Sequence, residues 1–90
     1  MTIEDAQVPA LSPGYRLQWE EVQQCDVLLY PEGMVRLNAA QGEVLAHCDG
    51  SLTADGVAAT LTLGPNPALD RESVLAVIAD ARARGWVVPT

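Results

Sequence analysis

Alternation of apolar and polar residues is clearest at Tyr15, Leu17 and Trp19, which interleave with Arg16, Gln18 and Glu20. A period of two marks a half-buried strand, and Trp19 and Trp86 are expected in core or cap positions. A second strand is expected over Asp26 to Tyr30, with Val27 and Leu29 on one face and Leu28 and Tyr30 on the other. Apolar on both faces, it belongs in the middle of a sheet. Pro31 presets φ for the first central position of a type I turn, and Gly33 suits a left-handed position closing a three-residue loop. Met34 to Leu37 is then the third strand, which a simple meander leaves at an edge.

Helical signals follow. Asn38 is placed to accept from the first free helical amides, and Gln41 can reach back, as in a capping box. The first helix is expected from Ala39 to about Cys48, burying Ala40, Val44, Leu45 and Cys48 and stopping at Asp49-Gly50. Thr53 caps a second, which buries Val57, Ala58 and Leu61 and ends near Gly64; Pro65 and Pro67 cannot continue it. The third starts at Asp70 and presents Val74, Leu75, Ile78 and Ala81. Arg82 and Arg84 fall in its last turn, Gly85 suits the C′ position, and Trp86 is placed to pack back on Ala81. The expected class is therefore α+β, a three-stranded antiparallel β-meander followed by three α-helices. Residues 1–13 show no periodicity and read as a flexible N-terminal arm, with residues 14–90 forming one domain.

Charge and chemistry narrow the function. The net charge is −7 and there is no Lys, which argues against a nucleic-acid partner, because phosphate binding needs clustered basic residues. No apolar run approaches a membrane span, and the N-terminus lacks the basic start and apolar centre of a signal peptide. The expected compartment is the cytoplasm. Cys25 and Cys48 fit no metal or redox spacing and read as small buried hydrophobes. His47, Cys48 and Asp49 are adjacent, so on a helix they point to different faces and do not share a site. No Ser-His-Asp arrangement or Gly-rich phosphate loop is present, so no catalytic residue, metal or cofactor is expected.

What remains is the edge strand. Met34 to Asn38 should offer about four or five backbone hydrogen bonds to an extended peptide, each worth about 0.5–1.5 kcal/mol net. Micromolar binding requires about 8 kcal/mol after association costs, so side chains on the third helix must contribute. Arg36 lies on the third strand, and Arg71, Arg82 and Arg84 lie on or near the third helix. Residues 70–84 carry three acids and three arginines, whereas the remainder carries nine acids against Arg16 and Arg36. An acidic peptide would be steered to that neutral corner. The plainer readings are that these arginines only complement a helix dipole, and that the edge pairs with its twin in a homodimer.

The block Leu28-Leu29-Tyr30-Pro31-Glu32-Gly33-Met34-Val35 with its helix cap, then Cys48-Asp49-Gly50 with Thr53, then Gly85-Trp86-Val87, resembles the coenzyme PQQ (pyrroloquinoline quinone) synthesis protein D family. The resemblance covers about residues 8–88. One departure is Gly42, where the family more often has Ala, which should weaken the first helix slightly. The resemblance implies a winged helix-turn-helix-like domain without catalytic activity. Such a domain binds a ribosomally made precursor peptide and presents it to a radical S-adenosylmethionine enzyme that joins a Glu and a Tyr of the peptide. It implies, too, that the peptide adds as a strand along the third strand, against the third helix. Met34, Val35, Arg36, Leu37, Arg71, Leu75 and Arg82 are the candidate peptide-binding residues on that basis. The competing classes are a winged-helix DNA-binding domain, whose recognition helix should be basic where this one is neutral, and another small interaction domain without catalysis.

Overall fold

Residues 6–90 are described by a computed structural model whose elements run β1 (Pro9–Leu11), β2 (Arg16–Glu20), β3 (Cys25–Tyr30), β4 (Gly33–Arg36), α1 (Ala39–Ala46), α2 (Ala54–Thr62), α3 (Arg71–Ala83) and β5 (Val87–Pro89). The expected meander forms as an antiparallel sheet ordered β2-β3-β4, with β3 in the middle. Leu17, Leu28 and Val35 lie opposite one another across it, and Leu28 is fully buried. Helix residues Val44, Leu45, Val57, Val74 and Ile78 close over the same core. Burying each such side chain contributes about 1.5–3 kcal/mol. On the opposite face Val27 lies between Gln18 and Arg36 in the register and is also buried.

The helix starts and the end of α3 form as read. At α1 the Gln41 amide donates to the Asn38 side chain (2.7 Å) and the Asn38 amide donates to Gln41 Oε1 (2.9 Å), completing the capping box. Thr53 accepts from the Gly56 amide and Asp70 from the Ser73 amide. The Ser73 bonds hold the Asp70 carboxyl below the usual carboxylate range. At the end of α3, Gly85 takes φ +80°. The Gly85 amide donates to the Arg82 carbonyl and the Trp86 amide to the Ala81 carbonyl, the pair of bonds that defines a Schellman cap.

Four expectations change. Tyr30 pairs directly with Gly33, so the hairpin loop is the two residues Pro31 and Glu32, and Gly33, at φ +155°, opens β4. Helix α1 stops at Ala46, because the His47 and Cys48 amides turn to the carbonyls of Val44 and Leu45, three residues back, and tighten the last turn. Cys48 is buried nonetheless. Trp19 is 51% exposed rather than in the core. It shares its row with the charged Asp26 at the β2–β3 end of the sheet, and its indole N–H donates to Glu21.

The fourth concerns the arm. Residues 1–5 lie outside the described residues, but Pro9–Leu11 forms β1 and pairs antiparallel with Val87–Pro89. The Leu11 amide donates to the Cys48 carbonyl and the Gly50 amide to the Pro9 carbonyl, so β1 is bonded on its other side as well. The buried Ser12 hydroxyl donates to the Gly85 carbonyl at 2.6 Å, tying this segment to the cap of α3.

Gly42 has a role beyond its low helix propensity. It is buried in α1, and a Cβ there would overlap the Asp26 carboxylate, with Asp26 Cγ at 3.0 Å and Cβ at 3.2 Å. Exchanging a helical Gly for Ala ordinarily gains about 1 kcal/mol. Gly42→Ala should therefore fall short of that gain or destabilise, and should recover it when combined with Asp26→Ala. Urea unfolding of the four proteins gives the coupling, expected above about 0.5 kcal/mol; additive effects would mean that the carboxylate moves aside freely.

Candidate functional site

Strand β4 has β3 on one side and, among the described residues, no strand on the other. Which of its backbone groups face outward is set by one bond: the Leu37 amide donates to the Asp26 carbonyl at 2.9 Å. Antiparallel pairs alternate between hydrogen-bonded and non-bonded. Residues 33, 35 and 37 therefore turn their N–H and C=O toward β3, and Met34 and Arg36 turn theirs away. Asn38 would be the next outward residue, but the capping box engages its amide, and its carbonyl accepts from Gly42. The open edge consists of four groups, the N–H and C=O of Met34 and Arg36.

The same alternation carried across β3 leaves a second open edge on β2, with the backbone of Leu17 and Trp19 outward. The Tyr15 amide is engaged by the Ser12 carbonyl. The two edges differ in charge. Arg36 sits on β4 without an ion-pair partner among the described residues, whereas β2 begins at Arg16 and ends at Glu20, with Glu21 following in the turn.

The other candidate side chains fall in distinct places. Met34 is 49% exposed, and by alternation it shares the outer face of the sheet with Arg36. Val35 points to the helix side and packs, half-buried, against the core. Leu37 is buried in that core, and its amide is engaged, so it presents neither side chain nor backbone at the edge. Leu75 of α3 is half-buried against the same core. Arg71 forms an ion pair with Asp55 of α2. Arg82 is half-buried near the end of α3. Arg84 is bound to Asp80 at 2.8 Å and lies 5.2 Å from the Trp86 ring centroid. Both ion pairs are about half exposed, where such pairs contribute about 0–1 kcal/mol, so either arginine can exchange partners at little cost.

Chemistry is sparse. Burial pushes the Cys48 thiol up to about 12, with Asp49 adding to the effect, so it is protonated at neutral pH, and it donates to the Val44 carbonyl. The His47 Nδ1 lies 3.0 Å from the Glu43 carbonyl oxygen. Among the described residues no group of three or more His, Cys, Asp or Glu side chains is placed to hold a metal ion, and no helix is long and apolar enough to cross a membrane.

Residues 25–87 match the family model of coenzyme PQQ synthesis protein D. The chain is 40% identical to the PqqA binding protein of Stutzerimonas stutzeri over 86 residues, covering 94% of each. It is 43% identical to that of Pseudomonas aeruginosa over 82 residues, covering 89% of this chain and 88% of the other. The solution structure of the PqqD part of Methylobacterium extorquens PqqCD superposes with a TM-score of 0.74 at 28% identity, covering 97% of this chain and 95% of that one. That part is described as a functional, stand-alone recognition element for ribosomally synthesised and modified peptides.

This chain belongs to the PqqD family. The match begins at Cys25, the first residue of β3, and ends at Val87. It holds β4 and all three helices, while the open β2 edge precedes it. Met34 and Arg36 are thus the outward residues of the open edge that lies inside the matched span. Loop length was the signal that could have separated them from Val35 and Leu37: a loop of two residues puts 34 and 36 outward, and a loop of three reverses the set.

Thiol accessibility checks this geometry. Ellman's reagent on the native protein should react with the half-buried Cys25 and spare Cys48, whose rate should rise at least about tenfold on unfolding. Equal native rates for the two would contradict the buried, protonated state of Cys48.

Proposed function

We propose that this protein is the peptide chaperone of PQQ biosynthesis. It binds the ribosomally made precursor peptide, PqqA, as an added strand on β4, and presents it to the radical S-adenosylmethionine enzyme that joins a Glu and a Tyr of that peptide. The observation that carries this reading is the open edge at Met34 and Arg36, inside the span that matches the family. The relatives named as PqqA binding proteins supply the identity of the peptide.

Magnitudes decide how the edge works. Four backbone bonds at about 0.5–1.5 kcal/mol each supply about 2–6 kcal/mol, short of the roughly 8 kcal/mol of a micromolar complex. Side chains bring the rest. The half-exposed Met34 and the rim residues Val35 and Leu75 give apolar area to either side of the added strand, and Arg36 meets an acidic residue of the peptide. Arg71 and Arg82 extend the contact along α3. The protein acts without catalysis of its own and works in the cytoplasm with its partner enzyme. A DNA-binding reading is disfavoured because residues 70–84 carry three acids against three arginines, which leaves the α3 segment without the net positive charge that phosphates require.

Proline distinguishes the two sets of strand residues. Arg36→Pro removes an outward N–H and keeps the β3 ladder, so it should leave the circular dichroism spectrum intact. It should also weaken PqqA binding by at least about fivefold relative to Arg36→Ala, the loss of one good hydrogen bond. Val35→Pro removes an inward N–H and should instead lower the thermal midpoint. Binding to Arg36→Pro as tight as to Arg36→Ala, by isothermal titration calorimetry, would exclude strand addition at β4.

A further inference from the structure

A cleft of about 240 Å³ opens between the β2–β3 end of the sheet and the start of α1, with Trp19, Asp26, Leu37, Ala39 and Glu43 among its lining residues. We infer that this cleft holds a Lys or Arg side chain of the precursor peptide just beyond the segment paired with β4, and thereby sets the direction in which the peptide lies. The inference rests on strand addition at β4 and adds a second anchor to it.

At about 240 Å³ the cleft is smaller than the about 300–1,000 Å³ of pockets for drug-sized ligands and matches a single long side chain. Its walls suit a cation on an aliphatic stem. The half-exposed Trp19 offers apolar surface to the stem and an indole to the charge, with the buried Leu37 among the lining residues behind it. Asp26 and Glu43 supply two carboxylates, and neither side chain has an ion-pair or hydrogen-bond partner among the described residues. Glu21 receives the Trp19 indole N–H at 2.8 Å, which orients the ring and puts a third carboxylate nearby. No arginine lines the cleft. The N-terminus of α1 contributes about half a positive charge at the Asn38–Ala39 wall, which the two lining carboxylates outweigh.

Position ties the cleft to the edge. The capping box ends the open edge at Arg36, so an added strand must leave the sheet there. Leu37 and Ala39 follow within three residues, about 10 Å at the rise of a strand, so the next two or three peptide residues pass the mouth of the cleft. Arg36 prefers an acidic peptide residue and the cleft a basic one. Reversing the peptide would place each against its own charge, and that asymmetry selects one direction.

The test is a titration of the full-length, nitrogen-15-labelled protein with unlabelled synthetic PqqA. A second PqqA peptide carries norleucine and citrulline in place of Lys and Arg. The Trp19 indole signal should shift with PqqA together with the Met34 and Arg36 amides. Asp26→Asn/Glu43→Gln should bind PqqA about two- to tenfold more weakly at low salt, as expected for one or two exposed ion pairs, and the gap should close at high salt. The substituted peptide should bind parent and variant equally. Shifts at Met34 and Arg36 without one at Trp19, or equal low-salt affinities for parent and variant, would overturn the cleft and leave strand addition standing. A shift at Trp19 without shifts at Met34 and Arg36 would overturn strand addition, and with it the second anchor as stated.

Discussion

The hydrogen bond from the Leu37 amide to the Asp26 carbonyl sets the phase of the whole edge. Because side chains and backbone groups both alternate along a strand, this one contact decides which residues face β3, which face solvent and which side chains enter the core. It assigns Val35 and Leu37 to the core side, and leaves the backbone of Met34 and Arg36 free to pair with another chain. The capping box at Asn38 then closes the edge at a defined length. Four open groups alone make a weak, short site, which suits reversible holding of a peptide.

Such an edge is useful only on a frame that does not fray. The frame here is stitched at its far side, where β1 lies between β5 and the Cys48–Gly50 segment and Ser12 anchors the α3 cap. These bonds join the two ends of the described chain across the helices, away from β4. The bonds that tie the two ends together thus lie in the β1–β5 pair and the α3 cap, and the open backbone groups lie on β4. Gly42 belongs to the same economy of space: without a Cβ, α1 lies against Asp26, and that carboxylate remains beside Trp19 and Glu43 in the cleft.

Much of this was legible in the sequence because it is local. The Asn38–Gln41 box, the Thr53 and Asp70 caps and the Gly85–Trp86 terminator each involve residues within five positions of one another, and each formed as read. The meander was legible from alternation. What the sequence did not disclose depends on distant partners or on a count of one. Pairing of β1 with β5 joins three-residue segments nearly the length of the chain apart, too short to show a period. Trp19 alternates correctly yet lies where Asp26 shares its row, so its exposure follows from a neighbour across the sheet. Arg71 finds Asp55 only once α2 and α3 are packed. Reading the Pro31 loop as three residues instead of two inverts the edge, although every strand is otherwise in place.

Amide hydrogen exchange with and without PqqA measures that edge directly. The account predicts that the Met34 and Arg36 amides, open in the free protein, gain protection when the peptide binds, while those of Leu17 and Trp19 on the opposite edge exchange as before. Protection at Leu17 and Trp19, with Met34 and Arg36 unchanged, would contradict it and move the peptide to β2.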